Sequence, residues 1–289
     1  MIFKGDLPII QAAEAVARVG TIEEVLGMLR RLSPLDFGRM LLEMPTPGYP
    51  ALSAMLPRMA KTEVQTAWTG SSGYDMFRQT KDFVLRLELY VEAICRRPLR
   101  GATILDYGCG WGRLARMMAY YTDPDNIYCL DPLKDSINIC KEDGILGHVR
   151  LSDYYPAELP VGEARFDLVY AYSVFTHTSL RATTTALNTI RRYMKPDGLF
   201  VITVRPVEVW GLSEFGENTE ANRGELIAAF ERTGFSFLEN PHMLVDGESV
   251  YGVTAISPDW ISRSFPNWRI VRRDRGEDHS QHILVLQPC

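Results

Sequence analysis

The run Ile104-Leu105-Asp106-Tyr107-Gly108-Cys109-Gly110-Trp111-Gly112 limits the fold of this chain more than any other stretch. Thr103 to Asp106 reads as a buried strand entered from the Pro98-Leu99-Arg100-Gly101 turn. Beyond the run, Leu114, Ala115, Met117, Met118 and Tyr121 recur at helical spacing. Between strand and helix, glycine stands at every second position. Glycine has no Cβ, so the backbone can turn with positive φ and a ligand can lie against it. The first amides of the following helix are predicted to point unpaired at that ligand. The competing reading is a strand–turn–helix joint whose glycines serve packing alone, and the strand-end acid Asp106 weighs against it.

The spacing selects the ligand. A dinucleotide fingerprint needs G-x-G-x-x-G, and Arg113 stands where its third glycine belongs. That disfavours a nicotinamide oxidoreductase. The pattern present, D-x-G-x-G-x-G, resembles motif I of the class I, Rossmann-like S-adenosylmethionine-dependent methyltransferases with a type 11/12/25-like domain. The resemblance implies that Asp106, Gly108, Cys109 and Gly110 hold the methionine half of S-adenosylmethionine, with Asp106 bonding its amino group.

Further along, Asn126 to Leu130 reads as a second strand ending in Asp131-Pro132. An acid at that strand end is placed to meet ribose hydroxyls. Its other role would be the N-cap of a helix from Leu133 to Glu142. Gly147 to Leu151 is the third strand, followed by Ser152, Asp153 and Tyr154; the resemblance gives Asp153 and its neighbours the adenine, against a plain turn-forming role. Phe166 to Tyr172 is the fourth strand and runs into Ser173-Val174-Phe175-Thr176-His177, a sequence similar to the family's. A Lys195-Pro196-Asp197-Gly198 turn then precedes a fifth strand, Leu199 to Val204. The resemblance spans about 103 to 205, and Tyr172 joins the cofactor residues.

The expected fold is α/β: a doubly wound, seven-stranded, mostly parallel sheet closed by an antiparallel hairpin, after an all-helical N-terminal region. Residues 1–97 form that region. Thr21-Ile22-Glu23-Glu24 has capping-box spacing and Ser33-Pro34 starts another helix. Residues 98–289 form the methyltransferase domain, whose hairpin pairs Trp268–Arg273 with Gln281–Leu286 across a Gly276-Glu277-Asp278 turn, after a helix beginning near Pro258. Residues 206 to about 256, with a helix at 224–233 and a strand at 250–256, are then an insertion. Ligands bind outside the carboxyl ends of such strands, so the insertion is assigned to substrate recognition. Gln65 to Tyr74 reads as a Gly/Ser loop with two large aromatics. It is either a linker with Trp68 packed inward or a cofactor cover, where an aromatic face at Trp68 or Tyr74 would attract the sulfonium.

Composition removes other classes. A formal charge of −5 leaves no basic footprint for nucleic acid. Five scattered cysteines without a C-x-x-C pair fit reduced thiols better than disulfides or zinc, and no metal site is expected. No apolar run approaches the ~18 residues of a membrane span, and Met1 to Gly20 is too polar for an anchor or signal peptide. The expectation is a cytoplasmic enzyme with no membrane partner.

His177 is the candidate base, because an imidazole with pKa near ~6.5 can take a hydroxyl proton at neutral pH. Its alternative is a structural hydrogen-bonding role. Phe175, Arg205, Trp210 and His282 are the candidates for the substrate side, with Arg205 either holding an anionic group or solvating its strand end. His242 and His279 read as surface or packing residues. No [DN]-P-P-[YFW] motif follows the fourth strand, which argues against DNA-base and protein-amide methylation. The resulting expectation is methyl transfer to a hydroxyl, less so an amine, of a small molecule or sugar. A protein or RNA methyltransferase is one alternative. A non-catalytic cofactor-binding scaffold is another, but it would be expected to lose Asp131 or a motif glycine, and neither is lost.

Overall fold

The computed structural model describes residues 7–212, 217–276 and 280–289, with backbone only for 217–220. The chain divides into two compact units, Met1–Leu151 and Ser152–Cys289.

The first unit opens with six helices: α1 (Leu7–Ala17), α2 (Ile22–Leu29), α3 (Pro34–Leu42), α4 (Pro50–Met55), α5 (Thr62–Thr69) and α6 (Gly73–Tyr90). The capping box forms, with Thr21 and Glu24 each accepting from the other's backbone N–H, and Val25, Leu26 and Leu29 are buried behind it. Three parallel strands follow: β1 (Ile104–Tyr107), β2 (Ile127–Asp131) and β3 (His148–Leu151). Between them lie α7 (Ala115–Met118) and α8 (Lys134–Glu142). Asp106 stands opposite Cys129, and Asp131 opposite Leu151.

The N-terminal helices pack on α7 and on the turns around it. Arg30 forks onto the carbonyls of Ala119 and Thr122 and pairs with Asp123 at 2.7 Å. The Tyr120 hydroxyl donates to the Leu32 carbonyl at 2.9 Å. The Arg58 amide and the Arg116 guanidinium tie the segment after α4 to Asp143 and to α7. Gly38 brings α3 close to α6, since a Cβ there would stand 2.5 Å from the Phe77 ring.

The second unit contains β4 (Phe166–Ala171), α9 (Leu180–Tyr193), β5 (Met194–Val204), α10 (Glu217–Thr233), β6 (Phe235–Glu239), β7 (Leu244–Val245) and β8 (Glu248–Ser249). It ends with β9 (Gly252–Ile256), α11 (Pro258–Ser264), β10 (Trp268–Arg275) and β11 (His282–Pro288). Every residue of β4 is buried, as the apolar run of a central parallel strand requires. β5 begins earlier than expected. Lys195 to Gly198 forms no separate turn but a bulge within the strand, because the Lys195 ammonium reaches back to the buried Asp167 at 2.7 Å.

Seven strands form one sheet in the order β10-β11-β5-β4-β1-β2-β3, and β11 runs antiparallel to both of its neighbours. This is the expected mostly parallel sheet with its terminal hairpin. Residues 277–279, which hold most of the hairpin turn and His279, lie outside the described residues. The insertion is built on a second pairing, β6 with β9, and β9 meets the end of β5 through an Arg205–Ala255 bridge. α10 starts at Glu217, about two turns ahead of the expected helix. No helix among the described residues is long and apolar enough to cross a membrane.

Candidate active site

In the first unit the glycine run forms a tight loop at the carboxyl end of β1. Gly108, Gly110 and Gly112 all take positive φ (77°, 55° and 79°), a conformation that glycine alone adopts at little cost. The amides of Gly108 and Cys109 both donate to the Leu130 carbonyl, at 2.7 and 3.0 Å. Asp131 closes the loop: Oδ2 accepts from the Gly110 amide at 2.9 Å and Oδ1 from the Leu133 amide at 2.8 Å. Burial pushes the Asp131 carboxyl up from the ordinary carboxylate value, and these two amide bonds act in the opposite direction. Asp106 is 2% exposed beside it in the sheet. Burial, with the Asp131 charge, also raises the Tyr107 phenol.

Two expectations change here. The chain does not pass straight into a long helix, because α7 spans only Ala115–Met118. The Gly108, Cys109, Gly110 and Gly112 amides are all bonded internally, so the loop offers glycine backbone rather than a row of helix-end donors. The predicted Gly/Ser loop at 65–74 is instead a corner between α5 and α6, with only Gly70–Ser72 between them. Gln65 makes this corner: its amide donates to the Ala60 carbonyl at 2.6 Å, and its Oε1 accepts from the Gly73 amide at 2.9 Å.

The corner separates the two aromatics. Trp68 is 44% exposed. Its ring lies on the glycine loop, 3.3 Å from where a Gly110 Cβ would stand. Tyr74 turns to α3, where its hydroxyl accepts from Arg39 at 3.3 Å and is thereby lowered in pKa. Trp68 thus lies on Gly110, whereas Tyr74 contacts Arg39 and Phe77.

In the second unit Ser152 is buried, Asp153 exposed and Tyr154 half-buried. Tyr172, half-buried, leaves the end of β4. Ser173 follows with φ of 59°. Its amide donates to Thr203 Oγ1 at 2.7 Å, and its hydroxyl accepts from Gln281 Nε2 at 2.8 Å.

His177 is held on every side. Nδ1 is 2.7 Å from the Gly252 carbonyl, which can only accept, so Nδ1 carries the proton. Nε2 faces an Arg205 N–H at 3.4 Å and is therefore the acceptor. The ring stacks on Tyr251, with centroids 4.8 Å apart and planes 3° from parallel. Burial first, then the Arg205 charge, lowers its pKa to about 4. Arg205 is itself buried and also donates to the Thr176 carbonyl. It neither solvates the strand end nor reaches outward.

The substrate-side candidates divide. Phe175 is fully buried, edge-on to Phe200 at 5.9 Å, and belongs to the core. Trp210 is fully buried among Val209, Leu226 and Ala255, its N–H satisfied by Ser236 Oγ at 2.9 Å. Neither side chain can meet a substrate, because each is spent on packing. His282 is half-buried at the start of β11, opposite Val204. Tyr251, Gly252, Thr203 and Gln281 were not legible as site-forming residues, since their partners lie up to 108 positions away.

Residues 104–198 match the profile of a family described as methyltransferase domain. No curated protein sequence matches the chain. Among solved structures, a S-adenosylmethionine-dependent methyltransferase from Clostridium acetobutylicum ATCC 824 is 11% identical with a TM-score of 0.50, over 78% of this chain and 96% of that one. Magnesium protoporphyrin IX methyltransferase from Synechocystis PCC 6803, with bound SAH, is 12% identical with a TM-score of 0.47, over 75% and 87%. The CcbJ methyltransferase from Streptomyces caelestis is 16% identical with a TM-score of 0.46, over 71% and 95%. The domain match at 104–198 and the seven-stranded sheet give the chain the fold of a S-adenosylmethionine-dependent methyltransferase.

Proposed function

We propose that the protein transfers the methyl group of S-adenosylmethionine to a hydroxyl, less favourably an amine, of a small molecule or sugar. The observation that carries the cofactor half is the Asp131 clamp on the Gly110 amide. It fixes a loop in which Gly108, Gly110 and Gly112 all take positive φ, with the Trp68 ring against Gly110. Each Asp131 oxygen accepts one amide and keeps a second lone pair for a ribose hydroxyl. Asp106, Gly108, Cys109 and Pro132 complete this end, with Ser152, Asp153 and Tyr154 assigned to adenine and Tyr172 to the cofactor. Trp68, lying on Gly110, is assigned to cover the bound cofactor. Tyr74, engaged by Arg39, supports that cover from α6.

The cofactor supplies a methyl group already activated on a sulfonium. What remains for the protein is to orient the two reactants and exclude water. His177 takes the structural role in this proposal: both ring nitrogens are engaged, and a pKa of about 4 leaves a weak base. The hydroxyl preference rests on Tyr172-Ser173-Val174-Phe175 in place of the amino-methylation motif. Arg205 acts through His177 and Thr176, and His282 of β11 is assigned to the acceptor side. We assign the helices of 1–97 to the cofactor side, the insertion at 206–256 to acceptor recognition, and the enzyme to the cytoplasm. Incubation with labelled cofactor and a panel of hydroxyl and amine acceptors tests the reading. Label in a hydroxylic small molecule is the expected result, and label confined to protein or RNA would point to a macromolecular acceptor.

A further inference from the structure

The insertion and α11 line a cavity of about 640 Å³, within the rough 300–1,000 Å³ range of small-molecule sites. Its apolar lining is Val207, just after β5, with Ile227 and Phe230 of α10. Gly234 forms one wall. A Cβ there would stand 2.5 Å from Ser257 Oγ, so glycine is what lets α11 pack this close.

Glu208, Glu231, Arg223 and Arg263 also line the cavity. Arg223 donates through Nε to the Trp210 carbonyl at 2.8 Å, and Arg263 through an Nη to the Thr233 carbonyl at 3.2 Å. A carbonyl fixes a guanidinium without cancelling its charge, and each guanidinium keeps donors to spare. The Arg223 anchor is rigid, because Trp210 is wholly buried with its own N–H bonded. Among the described residues none of these four charges is in an ion pair, whereas the remaining lining acid, Asp259, pairs with Arg273 at 3.5 Å.

An excess of one sign would select an anion or a cation. Two guanidiniums and two carboxylates around an apolar lining match a ligand that bears both charges on an apolar body. We propose that this cavity binds a small zwitterion with an apolar side group, of which an apolar α-amino acid is the simplest member. The site uses none of the residues assigned to the methyl donor.

The test takes the full chain and L-phenylalanine as the probe, read by saturation-transfer NMR and calorimetry. Phenylacetate, without the ammonium, and phenethylamine, without the carboxylate, are the comparisons. L-phenylalanine should bind, and each comparison compound at least about tenfold more weakly. Arg263→Gln and Glu231→Gln alter exposed side chains, and each should weaken L-phenylalanine at least about fivefold. Affinity for S-adenosylhomocysteine should stay as in the parent protein. Absence of L-phenylalanine binding, equal binding of either comparison compound, or unaltered affinity in either variant would overturn the proposal.

Discussion

His177 carries opposite predictions under its two roles. Its imidazole is held neutral at a pKa of about 4, against ~6.5 in an unfolded chain. Between those values the unfolded chain binds more protons than the folded one, so stability rises with pH across the window. Falling from pH 7.5 to 5 should cost roughly 2 kcal/mol through this group, and the contribution is fully lost below about pH 4. His177→Gln should be less stable than the parent at pH 7.5 and should lack this part of the pH dependence. Urea midpoints at the two pH values measure it. Equal pH dependence in parent and variant would contradict a buried neutral imidazole. Loss of turnover at full stability would restore the base role.

The same residue shows what a sequence can disclose. Asp106, the three glycines and Asp131 were legible because backbone chirality and strand-end position are local properties. The partners of His177 were not, since Gly252 lies 75 positions away and no local pattern announces it. Phe175 and Trp210 were misplaced for a related reason. A large apolar side chain after a strand end gives no sign of which way it turns, and burial took both.

Among the elements, the α5–α6 corner bears most directly on function. A Gly/Ser-rich stretch reads as a loop, but Gln65 ties the chain before α5 to the first residue of α6 and leaves only three residues between the two helices. Trp68 is thereby carried on a helix and set on Gly110. Addition of S-adenosylhomocysteine should slow amide exchange in α5, because a covered ligand ties the helix to the loop. Trp68→Ala should weaken that ligand by roughly tenfold, for the lost ring contact. Unchanged exchange together with unchanged affinity would make Trp68 a packing residue of the corner. The capping box of α2 was fully legible, whereas the β5 bulge was not, since it depends on the Lys195–Asp167 pair.

For the molecule as a whole, the helices before residue 98 pack with α7, with Trp111 of the β1 loop and with Ile139 of α8. Arg30, Leu32 and Arg58 give α7, the turn after it and the end of α8 hydrogen bonds that truncation before residue 98 removes. A chain starting at residue 98 should therefore lose cooperative thermal unfolding, with apolar surface at α7 and the β1–β2 side exposed. Circular dichroism melting of that truncation measures it, and a sharp transition near the parent's would show that the remaining chain folds alone. The seven-stranded, mostly parallel sheet with its terminal hairpin was legible from strand spacing and the motif resemblance, and its strand order was not. The β6–β9 pair was not, because its strands are short and sit 13 residues apart across another hairpin.

Calorimetry with S-adenosylhomocysteine tests most directly whether the β1 loop and Asp131 hold the methyl donor. The parent protein should bind with a dissociation constant in the micromolar range, about −8 kcal/mol. Asp131→Ala should bind at least about tenfold more weakly, through lost ribose bonds and a loosened Gly110 amide, with its far-ultraviolet dichroism retained. No binding by the parent, or equal affinity in a folded Asp131→Ala variant, would contradict the account.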